Sequence, residues 1–151
     1  MEIKRKYIKE GVCFEVSAMA VVLCNGKILT TNEIIFGKNV LSLPKGHQEK
    51  DEDLLQTAIR ECFEETDIII DGKDCIKKLT PFTYEFLSQD NRLIKKTNHP
   101  YLFCVNNEGV PAIKEEGIVA VRWMDIKEFQ RTCTHANIKK LMDEVFELII
   151  I

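Results

Sequence analysis

Glu61, Glu64 and Glu65 fall at i, i+3 and i+4 in the stretch GHQEKDEDLLQTAIRECFEETDI, residues 46–68, and so project from one side of any helix built there. Like charges at that spacing oppose each other by about a few tenths of a kcal/mol per pair in an isolated helix. A hard divalent cation offsets such a cost. Mg²⁺ takes oxygen ligands, keeps several waters and is held by a few carboxylates together with substrate phosphates, and Mn²⁺ accepts the same donors. The plain alternative is a solvated acidic face. Arg60 precedes Glu61 directly and Glu64 by four residues, so its guanidinium can brace a carboxylate through paired hydrogen bonds.

The element that must position these groups is a helix starting after Asp53. Asp53 and Gln56 form an Asp-x-x-Gln capping box that satisfies backbone N–H groups left open at a helix start. At about 100° per residue, Leu54, Leu55, Ala58, Ile59 and Cys62 make one apolar stripe, and the glutamates make another roughly 110° away. Glu52, just before the cap, sits where a helix N-terminus favours negative charge. Upstream, Leu43-Pro44-Lys45-Gly46-His47 delivers the chain to the helix: proline fixes the approach and glycine lets backbone come close to a ligand. Lys45 and His47 flank that glycine as candidate phosphate contacts; for His47 an exposed loop histidine is the competing reading.

Gly46, then Glu52, then Arg60-Glu61-Cys62-x-Glu64-Glu65-x-Asp67-Ile68 resembles the signature box of the Nudix hydrolases. The resemblance implies an Mg²⁺-dependent hydrolase that cleaves a diphosphate linkage. It implies metal ligands at Glu61, Glu64 and Glu65 and at the backbone carbonyl of Gly46, a general base at Glu64 or Glu61, an arginine, Arg60, that holds the catalytic glutamate, and a supporting role for Glu52. One position departs. The family has glycine where this chain has Asp67, near the helix C-terminus, where a left-handed residue is wanted. Aspartate tolerates that conformation, so the change predicts a modest cost in stability and no lost ligand.

A chain of 151 residues suits one compact domain, residues 1–151. A formal net charge of −3 argues against general nucleic-acid or membrane binding, and no apolar run reaches spanning length. Six cysteines without a C-x-x-C pair read as buried free thiols and a reducing cytoplasm. Residues 12–24, VCFEVSAMAVVLC, are too continuously apolar for an exposed strand and belong in the centre of a sheet. Asn25-Gly26 predicts a type I′ hairpin into residues 27–31. Residues 32–38 return through Gly37 to a short strand at 40–43, and residues 67–70 resume as a strand after the acidic helix. Phe82 to Phe86 alternates and pairs across a turn at 89–91 with a run ending at 101–105. Residues 112–117 are a polar loop containing Glu115 and Glu116, either of which stays open as a further ligand. A strand follows at 118–124, then a capped helix from Asp125, then an amphipathic helix with Ile138, Leu141, Met142, Val145, Phe146 and Ile149 on one face. Mixed strands with helices on both sides predict an α/β class fold, an α/β/α sandwich with a central mixed sheet, which is also the Nudix architecture.

The second arm of the long hairpin carries Arg92, Lys95, Lys96 and His99, which either guard a strand edge or meet a polyanion. Lys96 and His99 are the candidate phosphate contacts, and Tyr101 is the candidate base-stacking or packing ring. This arm, with Arg122-Trp123, resembles the dinucleoside polyphosphate hydrolases of the family; residues 43–47 resemble these and the diphosphoinositol polyphosphate hydrolases. The sequence reading is therefore a hydrolase of a nucleoside diphosphate linked to another moiety, with diadenosine tetraphosphate preferred. The alternatives are a nucleoside triphosphate or RNA 5′-end pyrophosphohydrolase, or a nucleotide-binding sensor without catalysis. The partner is a small nucleotide or polyphosphate, and a homo-oligomer stays open.

Overall fold

The computed structural model describes residues 6–9 and 11–149. Its strands are β1 (Lys6–Lys9), β2 (Val12–Cys24), β3 (Lys27–Ile35), β4 (Lys38–Ser42), β5 (Lys45–His47), β6 (Cys75–Lys78), β7 (Phe82–Leu87), β8 (Leu93–Cys104) and β9 (Ile118–Asp125), and its helices are α1 (Leu54–Thr66), α2 (Ile126–Thr132) and α3 (Ala136–Ile149). The strands form one mixed sheet with the path β4-β3-β2-β8-β6; β1 and β5 also pair with β2, β7 with β8, and β9 with β3. β2 and β8 run parallel, from Cys13 opposite Ile94 to Leu23 opposite Cys104.

β2 is buried on both faces, as its unbroken apolar run requires. Met19, Val21 and Leu23 face one core with Phe129 of α2 and Ile138, Leu141, Met142 and Val145 of α3. Ala18, Ala20 and Val22 face the other with Ala58 and Cys62 of α1. The small alanines let α1 lie close, and the bulkier row meets the amphipathic stripe of α3. This is the α/β/α sandwich that the patterning predicts. Each fully buried side chain of the size of Met142 or Phe129 contributes about 1.5–3 kcal/mol through burial.

Asn25 and Gly26 have φ of 50° and 78°, the left-handed pair of a type I′ turn. Several local expectations are corrected. β3 does not stop at Thr31: it continues to Ile35 and turns at Phe36-Gly37, again both left-handed, so residues 32–38 are a second tight hairpin. Residues 67–70 form no strand. Ile68 and Ile70 still alternate inward with Ile69 out, which plugs the core under α1 without a neighbouring ladder. β1 and β6 are strands that periodicity did not reveal. All six cysteines are free, and no helix of the described residues is long and apolar enough to cross a membrane.

β2 and β3 pair only next to their turn, at Leu23 and Cys24 with Ile28 and Lys27. Beyond it they diverge, and the chain from β4 to β5 fills the opening: β4 pairs with β3, the chain bends at Leu43-Pro44, and β5 pairs with β2 at residues 17–19. Lys45, Gly46 and His47 are thereby set at the mouth of that opening, against α1.

Candidate metal and phosphate site

α1 begins as its capping box requires. Gln56 N–H donates to Asp53 Oδ1 at 2.8 Å, and Asp53 N–H donates to Gln56 Oε1 at 2.8 Å. The buried face of the helix is Thr57, Ala58, Glu61, Cys62, Glu65 and Thr66. Leu54, Leu55 and Ile59 only flank it, so two of the three glutamates lie inside the edge of the core.

Gly46 lies against Glu61. A Cβ at position 46 would collide with all three atoms of the Glu61 carboxylate, so any larger residue here would push that carboxylate aside. Beside it, Lys45 N–H donates to Glu65 Oε1 at 3.1 Å. Glu61 and Glu65 are 8% and 5% exposed, and the carboxylate of Glu115, from the loop before β9, completes a trio whose ligand atoms lie within 4.8 Å of one another. Burial is the main cause that raises the pKa of Glu61, to about 7, against the pull of Arg60. Burial likewise raises that of Glu65, against Lys45. A donor set made only of carboxylate oxygens fits Mg²⁺ or Mn²⁺, and it lacks the thiolates and imidazoles that softer ions prefer.

Arg60 organises the carboxylates around the trio. Its Nε and Nη2 donate to Glu52 Oε2 and Oε1 at 2.9 and 2.8 Å, a paired geometry that holds Glu52 down to a pKa of about 2. Nη1 donates to Glu61 Oε1 at 2.7 Å and to Glu64 Oε2 at 3.0 Å, while Nη2 also donates to the His47 carbonyl at 2.8 Å. One guanidinium thus ties the approach strand, the residue before the helix cap and two glutamates of the helix. Glu64 stands outside the trio, with a side chain 44% exposed.

Around the opening lie further charged groups. Lys45 Nζ is 3.5 Å from Glu33 Oε2, and His47 Nε2 is 2.9 Å from Glu15 Oε1. Lys96 stands opposite Glu15 on β2 and Tyr84 on β7. Burial lowers the pKa of Lys96, with the Lys45 charge next, against the charges of Glu15, Glu33 and Glu61. Tyr84 is pushed up to about 12 by burial, reinforced by Glu15 and Glu33. Phe82, Tyr84 and Phe86 make a stacked ridge, with successive ring centroids 6.3 and 6.0 Å apart. On the floor, Ser17 and Asn98 are each 1% exposed, and Ser17 Oγ and Asn98 Oδ1 have no hydrogen-bond partner among the described residues.

The other two residues of the β8 arm are elsewhere. An odd spacing separates Lys96 from His99, so they leave the strand on opposite faces. His99 is opposite Ala18 and Tyr101 opposite Ala20, on the α1 side. His99 feels the charge of Lys78, and the Tyr101 ring packs in the α1 core with Lys78 Nζ 6.0 Å from its centroid. Of the candidates Lys96, His99 and Tyr101, the structure brings only Lys96 to the opening. Sequence reasoning missed Glu15, Glu33, Tyr84, Ser17 and Asn98 as lining groups. Only the clean alternation of β7 pointed to one buried row containing Tyr84.

Residues 14–145 match the family model described as the NUDIX domain. A putative mutator protein MutT4 of Mycobacterium tuberculosis (strain CDC 1551 / Oshkosh) is 34% identical over 113 residues, covering 75% of this chain and 44% of that protein. The phosphatase NudJ of Escherichia coli K12 is 29% identical over 115 residues, covering 75% of this chain and 69% of that protein. The chain thus spans less than half the length of the first relative and about two thirds of the second. Among solved structures, a C. elegans Ap4A hydrolase in a binary complex superposes with a TM-score of 0.69 over 89% of this chain and 96% of that one; at 18% identity this is a likeness of fold.

Proposed function

The chain belongs to the Nudix family, and from that premise we propose that it is an Mg²⁺-dependent pyrophosphohydrolase acting on a nucleotide polyphosphate. The observation that carries the reading is the trio of the buried Glu61 and Glu65 with the exposed Glu115, gathered beside a glycine whose missing Cβ leaves room for the Glu61 carboxylate.

When bound, Mg²⁺ supplies charge neutralisation on the phosphate oxygens and polarisation of the scissile diphosphate. Glu61, Glu65 and Glu115 hold the ion. Glu64, outside the trio and open to solvent, takes the proton of the attacking water as the new P–O bond forms and the bridging P–O bond breaks. Arg60 fixes Glu64 and Glu61 relative to each other, and Glu52 fixes Arg60. Lys45 and Lys96 meet the phosphates remote from the ion, and the Tyr84 ridge offers an aromatic wall to a base.

Two cations beyond the metal site favour a substrate with more than two phosphates, and a dinucleoside tetraphosphate is the first choice. The placement of His99 and Tyr101 on the far face favours a second reading, a mononucleoside triphosphate, because it removes the ring expected to hold a second base. Purified protein with Mg²⁺, given diadenosine tetraphosphate and the common ribo- and deoxyribonucleoside triphosphates, tests both. The first choice predicts ATP and AMP as products and the highest kcat/KM for the dinucleotide. A tenfold preference for a triphosphate selects the second reading, and no hydrolysis of any of them rejects the enzyme assignment.

A further inference from the structure

Glu115 reaches Glu61 and Glu65 on a loop without regular structure. The loop is tied at its ends. Trp123 Nε1 donates to the Gly109 carbonyl at 2.9 Å, and Gly109 lies against Ile68, where a Cβ would come within 2.7 Å of Ile68 Cδ1. Ala112 N–H donates to the Thr66 carbonyl at 2.8 Å, and Ile34 N–H to the Gly117 carbonyl at 2.9 Å. Between those ties the backbone near Glu115 has, among the described residues, one bond, a long one, from Ile118 N–H to the Glu115 carbonyl at 3.3 Å.

The attachment next to Glu115 is a side chain. Lys114 Nζ lies 3.3 Å from Asp67 Oδ1 and 3.4 Å from the centroid of the Phe63 ring. Both partners belong to the last turn of α1 and its cap, the same helix that presents Glu61 and Glu65. Asp67 is the cap itself, with φ 64° and ψ 15°, and its N–H donates to the Phe63 carbonyl. Glycine takes that left-handed conformation with less strain but brings no carboxylate.

We propose that Asp67, together with Phe63, is a positioning residue: it clamps Lys114 to the end of α1 and so holds Glu115 in the carboxylate trio. The inference rests on the trio being the divalent-cation site of the proposed hydrolase. An ion pair with side chains 34% and 45% exposed contributes little to global stability, so its consequence is local, in the freedom of a loop with few other bonds.

The test is Mn²⁺ binding followed by electron paramagnetic resonance on the whole chain without substrate, for wild type, Asp67→Gly, Lys114→Ala, Glu115→Gln and the Asp67→Gly/Glu115→Gln double variant. The clamp predicts that Asp67→Gly and Lys114→Ala each weaken Mn²⁺ binding about five- to tenfold, the scale of one ion pair with a cation–π contact. It predicts that the Tm of metal-free Asp67→Gly does not fall, and that Asp67→Gly adds no further weakening once Glu115 is glutamine. In metal-free protein the Ile118 amide should exchange faster in both clamp variants than in wild type. Binding within twofold of wild type with unchanged Ile118 exchange overturns the clamp. So does an equal loss with and without Glu115, which would make Asp67 act independently of that residue. If wild type binds Mn²⁺ and Glu115→Gln weakens it while the clamp variants do not, the metal site stands and the clamp alone falls; no Mn²⁺ binding by wild type overturns both.

Discussion

Metal-free protein should become more stable, not less, as the pH is lowered from about 8 to about 6.5. A carboxyl whose folded pKa lies above its unfolded value takes up a proton on folding, so its contribution to stability grows as pH falls through the folded value toward the unfolded one. Glu61 is such a group: burial lifts it from 4.5 to about 7. Between about pH 8 and about pH 6.5 it alone adds about 1 kcal/mol, and Glu65, shifted the same way by burial, adds in the same direction. For a chain of this length about 1 kcal/mol moves Tm by about 2–4 °C. The window stops at 6.5 because burial lowers His47, His99 and His135 below that ordinary value, and these oppose folding at lower pH. Thermal melts in chelator read the slope, and Glu61→Gln should remove the Glu61 share of it. Because the ion needs ionised carboxylates, Mg²⁺ should raise Tm more at about pH 8 than at about pH 6.5. A stability that rises with pH across this window, with the same slope in Glu61→Gln, would refute the reasoning.

Gly46→Ala should lower kcat by about 10²-fold or more, because its Cβ displaces the Glu61 carboxylate; rates and circular dichroism on the same sample separate this from unfolding. Glu52→Gln should lose up to about 3 kcal/mol of stability at neutral pH, since Glu52 is held near a pKa of 2 by Arg60; the loss should shrink as pH falls through the range from 4.5 to 2, where the wild-type carboxylate also protonates, as denaturant melts across that range would show. Lys96→Ala should raise KM more than it lowers kcat, whereas His99→Ala should leave both within about twofold, as steady-state kinetics on the preferred substrate would show.

The acidic helix, its Asp53 cap and the left-handed Asp67 were legible because each depends on neighbours a few residues away. The parallel pairing of β2 with β8 was not, since partners some eighty residues apart leave no local periodicity. That pairing decides which β8 side chains meet the opening: Lys96 lies there, and His99 leaves the strand on the other face. Glu115 was named in the sequence only as an open choice. Its membership in the trio depends on a loop tied to the end of α1 by Lys114 and Thr66, a contact no spacing rule encodes. Residues 67–70 misled for a different reason: three consecutive isoleucines read as a strand, yet Ile68 and Ile70 bury inward with Ile69 exposed without any neighbouring ladder.

The central claim, that Glu61, Glu65 and Glu115 hold the cation for diphosphate hydrolysis, is tested most directly by separating the products of diadenosine tetraphosphate and of a nucleoside triphosphate in Mg²⁺ for wild type and for Glu61→Gln and Glu65→Gln. The account predicts cleavage at a phosphoanhydride bond by wild type, none in chelator, and a loss of about 10²-fold or more in each folded variant. Wild-type rates in both variants would contradict it.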